Sequence, residues 1–396
     1  MMDFYKEALE IKDLLIEVRR DLHENPELGF EEFRTCGKIQ EYLTKEGINT
    51  EVIARTGVCG IIQGEKESIS KPKVVALRAD IDALPIQEKN NCSYKSKVAG
   101  KMHACGHDAH TTILLGAAKI LNRHKKDFSG TIKLMFEPAE ETTGGAPVMI
   151  KEGVLENPKV DGVFGLHVTE DLQVGKIKVK YGVVNAASNP FTIKIKGKGG
   201  HGAAPQYTID PVVISAQVVL ALQTIVSREI TPTNPAVITI GSINGGTAQN
   251  IIPDEVVLKG IIRTMDKDDR EEVKKRLNEV VKGICASMRA EAEIEIEESY
   301  PCLYNNDAMV DIVKGSASSI LGEENVTNQK APSMGVESFA YFAMERDAAF
   351  YFLGTGNKEK NTDVPAHNAL FNIDEDALPI GVAIQCANAF NYLTNE

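Results

Sequence analysis

Residues 101–110 read KMHACGHDAH and place three histidines, one cysteine and one aspartate within eight positions. The chain has only 8 histidines and 7 cysteines among its 396 residues, so this cluster is a strong local concentration of titratable groups. Imidazole nitrogen, thiolate sulfur and carboxylate oxygen together favour Zn²⁺, Mn²⁺, Co²⁺ or Ni²⁺ over Mg²⁺ and Ca²⁺. The cluster therefore indicates a transition-metal site just before the apolar segment TTILLGAAKIL.

Further residues of ligand type come directly after apolar runs that have the character of strands. They follow KVVALRA, GTIKLMF and VDGVFG, or the loop after AAFYFLGTG, and they are Asp80, Asp82, Glu137, Glu140, Glu141, His167 and His367. Ligands of open α/β sheets gather outside the carboxyl ends of the strands, so we expect these side chains to meet at one edge. Asp80 and Asp82 are expected behind metal-bound imidazoles, where a carboxylate orients the ring and raises its basicity.

Each of these residues also has an ordinary structural interpretation. Asp80 and Asp82 could cap a helix or pair with Arg78. Cys105 could be an inert buried thiol, or it could be a nucleophile that works with His107. Residues of ligand type recur at several independent strand ends, and this recurrence favours a metal site over the structural alternatives.

The remaining histidines receive weaker roles. His103 and His110 are next to the cluster, and we expect them to support it or to be structural. His23 and His124 lie outside the pattern, and a buried or capping histidine is the more common case for such residues.

The elements that must position these residues alternate between strands and helices. Helices are predicted over 5–22, 31–46, 109–123, 145–152, 306–320, 335–345 and 374–393. Strands are predicted over 48–53, 58–63, 73–79, 130–136, 160–167 and 348–353. This alternation predicts an α/β domain with a mainly parallel sheet covered by helices on both faces.

The pattern changes between residues 186 and 300. There the order is β-α-β-β-α-β, which is the ferredoxin-like unit, with helices over 210–228 and 268–289. Asp210 is the expected N-cap of the first helix and Pro211 its first residue. We therefore predict a metal-binding catalytic domain of residues 1–185 and 301–396, interrupted by a lid or dimerisation domain of residues 186–300.

Composition narrows the class of protein. The net charge is −12, with 43% hydrophobic and 25% charged residues, and no basic cluster suggests a nucleic-acid or membrane partner. The amphipathic N-terminus lacks the apolar core of a signal peptide, and we expect no run of transmembrane length. Seven widely spaced cysteines without a CxxC motif favour a reducing compartment, so we expect the protein to be cytoplasmic.

On these motifs the sequence resembles the metal-dependent aminoacylase and carboxypeptidase family, in the branch of hippurate hydrolases, N-acetyldiaminopimelate deacetylases and auxin (IAA)-amino acid conjugate hydrolases. The resemblance covers nearly the whole chain. It is carried by RRDLHENPELGFEE (19–32), LRADIDALPI (77–86), MHACGHDAHTTILLGAA (102–118), FEPAEE (136–141), GLHV (165–168), GKGGHGAAP (197–205), QNIIPDEVVLKGIIRT (249–264) and PAHNALFNIDEDAL (365–378). It implies a catalytic domain that binds metal and a lid domain that often dimerises.

The resemblance also implies roles in the metal centre. Two divalent metal ions per subunit (Zn, Mn, Co or Ni) would be bridged by the side chain of Cys105. The other ligands implied are His107, Glu141, His167 and His367. Glu140, the first carboxylate of the pair, matches the general base.

Three residues of the predicted lid domain match substrate-contacting positions of the family. His201, in GGHGAAP, would donate to the oxyanion, often from the partner subunit, and Asn250 and Arg263 would hold the substrate carboxylate. The sequence departs from the family pattern at Gln206, where His is common, and at Ser338, where Asp usually follows Glu337. Both departures are expected nearer to substrate recognition than to metal binding.

The predicted function is a binuclear metal-dependent amidohydrolase. It would cleave N-acyl-L-amino acids of the N-acetyl or N-benzoyl type into a carboxylate and a free amino acid. The alternatives are a metallo-exopeptidase or dipeptidase with the same site, a cysteine hydrolase that uses Cys105 and His107, and a non-enzymatic metal-binding protein. The expected assembly is a homodimer, or a higher homo-oligomer, formed through the lid domain.

Overall fold

The computed structural model describes residues 2–67, 71–142 and 144–394, and the chain forms two compact units. The larger unit comprises Met1–Val184, Tyr304–Pro332 and Ser338–Glu396, and the inserted unit comprises Asn185–Leu303 and Ser333–Glu337. The sequence assigned all of 301–396 to the larger unit, whereas Ser333–Glu337 groups with the inserted one. The reason is a backbone pairing, because the N–H of Ala186 bonds the carbonyl of Ser333 at 3.0 Å.

Sixteen strands are found in the described part of the chain. They are β1 (Asn49–Ile53), β2 (Gly57–Gln63), β3 (Val74–Asp80), β4 (Thr131–Glu137), β5 (Gly162–Gln173), β6 (Ile177–Val179), β7 (Gly182–Asn185), β8 (Ala187–Lys196), β9 (Gly200–His201), β10 (Ala236–Asn244), β11 (Ile251–Ile252), β12 (Glu255–Thr264), β13 (Glu291–Ile296), β14 (Leu303–Asn305), β15 (Val326–Asn328) and β16 (Asp347–Gly356). The strands β5 and β16 run further than the sequence predicted, because they pair with each other along most of their length.

Ten α-helices occur in the same residues. They are α1 (Phe4–Glu10), α2 (Lys12–Glu24), α3 (Phe33–Lys45), α4 (His107–Arg123), α5 (Ala146–Lys151), α6 (Pro211–Thr224), α7 (Lys267–Ser287), α8 (Asp307–Leu321), α9 (Phe339–Glu345) and α10 (Ala377–Thr394). The predicted helix 5–22 is interrupted at Ile11, whose ψ of 11° departs from helical geometry. The predicted helix 335–345 begins only at Phe339, since the residues before it belong to the inserted unit.

The larger unit is built on an eight-stranded sheet in the order β1-β2-β4-β3-β5-β16-β6-β15. Its four central strands, β4, β3, β5 and β16, are parallel neighbours. On one side β2 and β1 continue the sheet as antiparallel strands, and on the other side β6 is antiparallel to β16. The predicted mainly parallel α/β fold is thereby confirmed.

The core of the larger unit explains the long apolar segments of the sequence. Helices α4 and α10 are buried along almost their whole length and pack on the central strands. A helix with apolar residues on every side is stable only when it is surrounded, which is why neither sequence shows a clear polar face. The buried α4 therefore gives a fixed platform for the residues at its first turn.

The inserted unit has the predicted ferredoxin-like topology. Its four strands lie in the order β10-β12-β8-β13, each antiparallel to its neighbour, and α6 and α7 contact the sheet. The short strands β9 and β11 pair with each other in a separate ladder. In chain order the elements are β8, α6, β10, β12, α7 and β13, which is the βαββαβ arrangement.

Helix α6 is unusually apolar. Oδ1 of Asp210 accepts hydrogen bonds from the N–H groups of Val212 at 2.9 Å and Val213 at 3.3 Å, which is the predicted N-cap. With the π-helical turn that follows it, the segment Pro211–Glu229 has a mean hydropathy of 1.4 and is long enough to cross a membrane. The expectation that no run reaches this length was therefore wrong. One third of this apolar stretch is nevertheless buried, because it packs in the core of its own unit.

Candidate metal centre

The predicted ligands come from the ends of neighbouring parallel strands and from the start of α4. Asp80 ends β3 and pairs in register with Glu137, which ends β4. His167 lies in the adjacent strand β5, and His107 is the first residue of α4. The parallel register thus carries these residues to one edge of the sheet, as expected for open α/β folds.

Among the described residues, ligand-type atoms of the larger unit converge in four groups of three: Asp80, His107 and His110; His107, Glu140 and Glu141; and two groups that share one thiol. Cys105, His107 and His167 form one group, and Cys105, Glu141 and His367 form the other. Within each group the candidate ligand atoms all lie within 4.8 Å of one another. Sγ of Cys105 lies 3.4 Å from Nε2 of His167. The arrangement offers two adjacent cation positions with the thiol between them.

Two of the imidazole rings are oriented so that Nε2 faces the centre. Nδ1 of His167 donates to the carbonyl of Val168 at 2.6 Å. Nδ1 of His107 lies 3.0 Å from the carbonyl and 3.1 Å from Oδ1 of Asp82, so this nitrogen carries the proton. Hydrogen bonding at Nδ1 fixes the tautomer with a free Nε2 lone pair, which is the form that binds metal.

Unpartnered buried atoms show that the residues fit metal ions. Nε2 of His107 and Oε1 of Glu141 are buried and have no hydrogen-bond partner. Nε2 of His367 approaches this oxygen to 3.2 Å. Leaving such atoms buried and unpaired is costly, and a divalent cation bound by both residues would satisfy them.

The electrostatics also favour cations. Burial raises the pKa of the Cys105 thiol well above its ordinary value, and the charge of Glu141 acts in the same direction. Burial opposes a charge on His107, but the charge of Asp80 and the bond to Asp82 outweigh it and raise the pKa of the ring. The protein thus surrounds the site with negative charge that protons balance. Bound cations would displace these protons and allow the thiolate to form.

Backbone geometry holds Cys105 and His107 at the required angle. Gly106, between them, has φ of 92°, and a Cβ there would lie 2.3 Å from Cγ2 of Val168. Only glycine suits a position that combines positive φ with such close packing. His367 also has a positive φ of 64°, and its N–H donates to the carbonyl of Ala104 at 2.7 Å. The histidine from the distant loop is thereby tied to the CGH segment.

The turn at 138–141 sends two adjacent carboxylates in different directions. Ala139 has φ of 56°, and its N–H donates to Oε1 of Glu32 at 2.8 Å. The N–H of Glu141 donates to Oδ2 of Asp82 at 3.0 Å, whereas Oε1 of Glu140 accepts from the N–H of Ser338 at 3.0 Å. Glu141 therefore faces the ligand group while Glu140 is held beside it. Sequence reasoning missed Glu32, although it lies in the motif at 19–32.

Asp80 is the centre of a buried polar network. It accepts Nη1–H of Arg78 through Oδ2 at 2.7 Å, so the pairing considered from the sequence is present. Oδ1 accepts from Nδ1 of His110 at 2.6 Å, and Nε2 of His110 accepts the N–H of Val168 at 2.9 Å. Burial lowers the pKa of His110 to about 4, consistent with a neutral ring. Both nitrogens of His110 are used, so it supports the centre without binding metal.

The other histidines near the cluster have separate environments. His23 is buried, with Nδ1 2.7 Å from Oδ2 of Asp108, and that carboxylate also pairs with Arg19. His103 is buried without a hydrogen-bond partner for either ring nitrogen. Burial lowers the pKa of His103 to about 3, so the ring is neutral.

The three predicted substrate residues of the inserted unit lie in two places. His201 is exposed in β9, and Asn250 is its neighbour, because the N–H of Gly202 donates to the carbonyl of Asn250 at 2.8 Å. Arg263 pairs with Ser188 near the far end of β12. Eight residues separate it from the Glu255 end of the strand, roughly 26 Å at the rise of a strand. Arg263 therefore lies towards the opposite end of β12 from Glu255, and the shared role of Asn250 and Arg263 stays a prediction.

The two departures from the family pattern also occupy different environments. Gln206 is exposed in a short 3₁₀ turn of the inserted unit. Ser338 is fully buried in the larger unit and touches Arg78, Glu137 and Glu140. The expectation that Ser338 lies nearer to substrate recognition than to metal binding stays a prediction.

Candidate ligand groups gathered around one thiol, with the carboxylate of Glu140 beside it, are typical of metal-dependent hydrolases. A family model for the peptidase family M20/M25/M40 matches residues 76–390. The chain is 40% identical over 386 residues to the IAA-amino acid hydrolase ILR1-like 4 of Arabidopsis thaliana, covering 96% of this chain and 86% of that protein. It is 41% identical over 365 residues to the N-acetyl-L-cysteine deacetylase of Bacillus subtilis, covering 92% of this chain and 84% of that protein.

A solved structure agrees with these relatives. The crystal structure of a dinuclear metal binding peptidase of the M20 family from Bacillus subtilis is 34% identical and has a TM-score of 0.84, covering 98% of this chain and 99% of that chain. The chain therefore belongs to the peptidase family M20/M25/M40, and the resemblance noted in the sequence is confirmed. It is a metal-dependent hydrolase of amide bonds.

Proposed function

We propose that this enzyme hydrolyses N-acyl-L-amino acids, of the N-acetyl or N-benzoyl type, with two divalent cations per subunit. The observation that carries the proposal is the thiol of Cys105 shared by two ligand groups, with Glu140 beside them. The names of the relatives, a deacetylase of N-acetyl-L-cysteine and a hydrolase of IAA-amino acids, support this class of substrate. A peptidase that uses the same site is the alternative, which the family description supports.

The proposed mechanism assigns each proton to a residue of this chain. Bound cations would supply Lewis acidity, which polarises the amide carbonyl and makes water acidic near neutral pH. Glu140 accepts the proton of the attacking water as the C–O bond forms. His201 donates a hydrogen bond to the oxyanion. Glu140 then delivers the proton to the nitrogen as the C–N bond breaks, leaving a carboxylate and a free amino acid.

Arg263 supports a substrate with a free carboxylate. Its Nη1 is buried without a hydrogen-bond partner, and no acidic side chain among the described residues forms an ion pair with it. Burial lowers the pKa of Arg263, since no neighbouring charge compensates. An unpaired, half-buried guanidinium is suited to a bidentate bond with the α-carboxylate of the substrate.

We further propose that the enzyme is a homodimer in which His201 acts on the site of the partner. His201 and Asn250 lie near one end of the inserted unit's strands and Arg263 lies near the other end. This separation supports the assignment, because a small substrate that binds Arg263 of one copy would need His201 from the second copy. Helix α6 offers an apolar surface for the second copy, since Val212, Val213 and Leu220 are exposed along it. Burying such a surface would stabilise the dimer.

A substrate panel on protein of measured metal content tests the activity. N-acetyl- and N-benzoyl-amino acids should be cleaved faster than dipeptides, and the reverse order would favour the peptidase. Thorough chelation should abolish turnover, and Zn²⁺, Mn²⁺ or Co²⁺ should restore it. Full activity of metal-free protein would instead support a thiol nucleophile at Cys105.

Subunit complementation tests the assignment of His201. His201→Ala and Glu140→Gln chains, each inactive alone, are co-expressed with different tags, and the mixed dimer is isolated. A dimer with one complete composite site should recover about half of the wild-type rate. A mixed dimer without activity would show that His201 acts within its own chain, and a monomer by light scattering would exclude the dimer.

A further inference from the structure

Ser338 is a small polar residue that the proposed mechanism does not use, although it is fully buried at the site. Its backbone N–H donates to Oε1 of Glu140 at 3.0 Å. Its hydroxyl donates to Oε1 of Glu137 and accepts from Nη2 of Arg78 at 3.2 Å. The hydroxyl proton and one lone pair are thus both used, so the rotamer of this side chain is determined by its neighbours.

The groups that hold Ser338 are themselves rigid. Arg78 is fully buried, and its Nε donates to Oε2 of Glu137 at 2.7 Å while Nη1 donates to Asp80 at 2.7 Å. Oε1 of Glu137 also accepts the N–H of Ala146 at 2.7 Å. The planar guanidinium fixes the directions of all three contacts. Ser338 therefore packs against Arg78 in β3 and Glu137 at the end of β4, and both side chains are fixed by further hydrogen bonds.

The geometry points to Ser338 as a positioning residue for Glu140. Its hydroxyl ties the start of α9 to Arg78 and Glu137, and this places its N–H on the carboxylate that accepts the proton. The inference rests on the proposed function, because it takes Glu140 as that acceptor. A general base must be held within hydrogen-bond reach of its proton, and small displacements are costly to the rate. Ser338 thereby sets the rate of the chemical step without touching the substrate.

The test compares Ser338→Ala with its conservative counterpart. Removing the hydroxyl should lower kcat about tenfold, because the backbone N–H that binds Glu140 is no longer held in place. KM and the metal content should be unchanged, because the metal ligands remain. Ser338→Thr, which keeps the hydroxyl, should recover most of the rate. Ser316→Ala is the matched control, since Ser316 in α8 is equally buried and its hydroxyl accepts a hydrogen bond from Asn391 in α10. It should lose stability without losing kcat.

A double-mutant cycle separates positioning from a structural role. The shorter carboxylate of Glu140→Asp cannot keep the bond to Ser338, so Ser338→Ala should change kcat less than about twofold in that background. An equal loss of kcat in both backgrounds, or an unchanged kcat in Ser338→Ala alone, would overturn the inference. If Ser338→Ala does not fold, Ser338→Cys serves in its place, with a smaller loss expected from its weak S–H donor. Wild-type kcat in Glu140→Gln would instead refute the proposed role of Glu140.

Discussion

Nδ1–H of His107 donates to Oδ1 of Asp82 at 3.1 Å in a fully buried setting, which leaves Nε2 of the ring directed at the cation positions. The other oxygen of Asp82 accepts the N–H of Glu141 at 3.0 Å. One carboxylate thus orients two of the five proposed metal ligands. The centre depends on residues that would not themselves touch the metal.

Asp82→Ala should weaken metal binding. Without the carboxylate, the ring of His107 and the backbone of Glu141 lose a common partner, and we expect the affinity to fall about 10- to 100-fold. Competition with a chelator of known affinity measures the loss. Asp210→Ala, which removes a helix cap in the inserted unit, is the control and should keep wild-type affinity. A metal affinity of Asp82→Ala equal to that of the wild type would show that Asp82 does not orient the ligands.

Glu140→Gln should separate metal binding from catalysis. The amide cannot accept the proton of the attacking water, so kcat should fall by about 10²- to 10⁴-fold while the metal content is kept. Steady-state kinetics and elemental analysis on the same preparation check both halves of the prediction. A variant that remains active would remove Glu140 from the mechanism, and a variant that loses its metals would make it a ligand.

Arg263→Ala should lower kcat/KM for N-acetyl-amino acids about 10- to 100-fold, through the loss of a charged hydrogen bond to the substrate. The same change should have little effect on substrates whose α-carboxylate is blocked as an amide. The exposed Arg228 provides the control, and Arg228→Ala should behave as wild type towards both. An equal loss for free and blocked substrates would show that Arg263 does not recognise the carboxylate.

His124 should give the larger unit a pH-dependent stability. Burial lowers the pKa of the ring, but the bonds to Asp127 at 3.0 Å and Glu7 at 2.8 Å outweigh it and raise the pKa above 6.5. Because the folded-state pKa is raised, this stabilisation is complete below the unfolded value and is lost as pH rises through the folded value. His124→Gln should therefore lower Tm more at about pH 6 than at about pH 9. Thermal scans in which the variant loses the same Tm at both pH values would contradict a stabilising role of the protonated ring.

Much of the fold was predictable because periodicity and strand-end chemistry are local. The parallel core followed from alternating apolar runs, and the segment around Cys105 and His107 from the unusual density of ligand types. One failure was non-local, and another was a local break without a sequence signal. The segment before Phe339 looks helical but pairs with Ala186, and the break at Ile11 has no clear marker in a periodic apolar pattern.

The residues that support the site were harder to foresee for a related reason. Glu32, Arg78 and Ser338 are common residue types. Only the packed structure shows that Glu32 binds the backbone just before Glu140, and that Arg78 binds the serine whose N–H donates to Glu140. A buried carboxylate with a backbone partner leaves no signal in a single sequence. In contrast, the separation of His201 from Arg263 could have been noticed, since His201 follows the strand-like segment FTIKIKGK whereas Arg263 lies at the far end of DEVVLKGIIRT.

The most direct test of the metal centre is anomalous X-ray diffraction from crystals grown with Zn²⁺ or Mn²⁺. The structure predicts two anomalous peaks about 3.5–4 Å apart, one on each side of Sγ of Cys105, with His107, Glu141, His167 and His367 as the other protein ligands. A single peak, or peaks away from these side chains, would contradict the binuclear hydrolase.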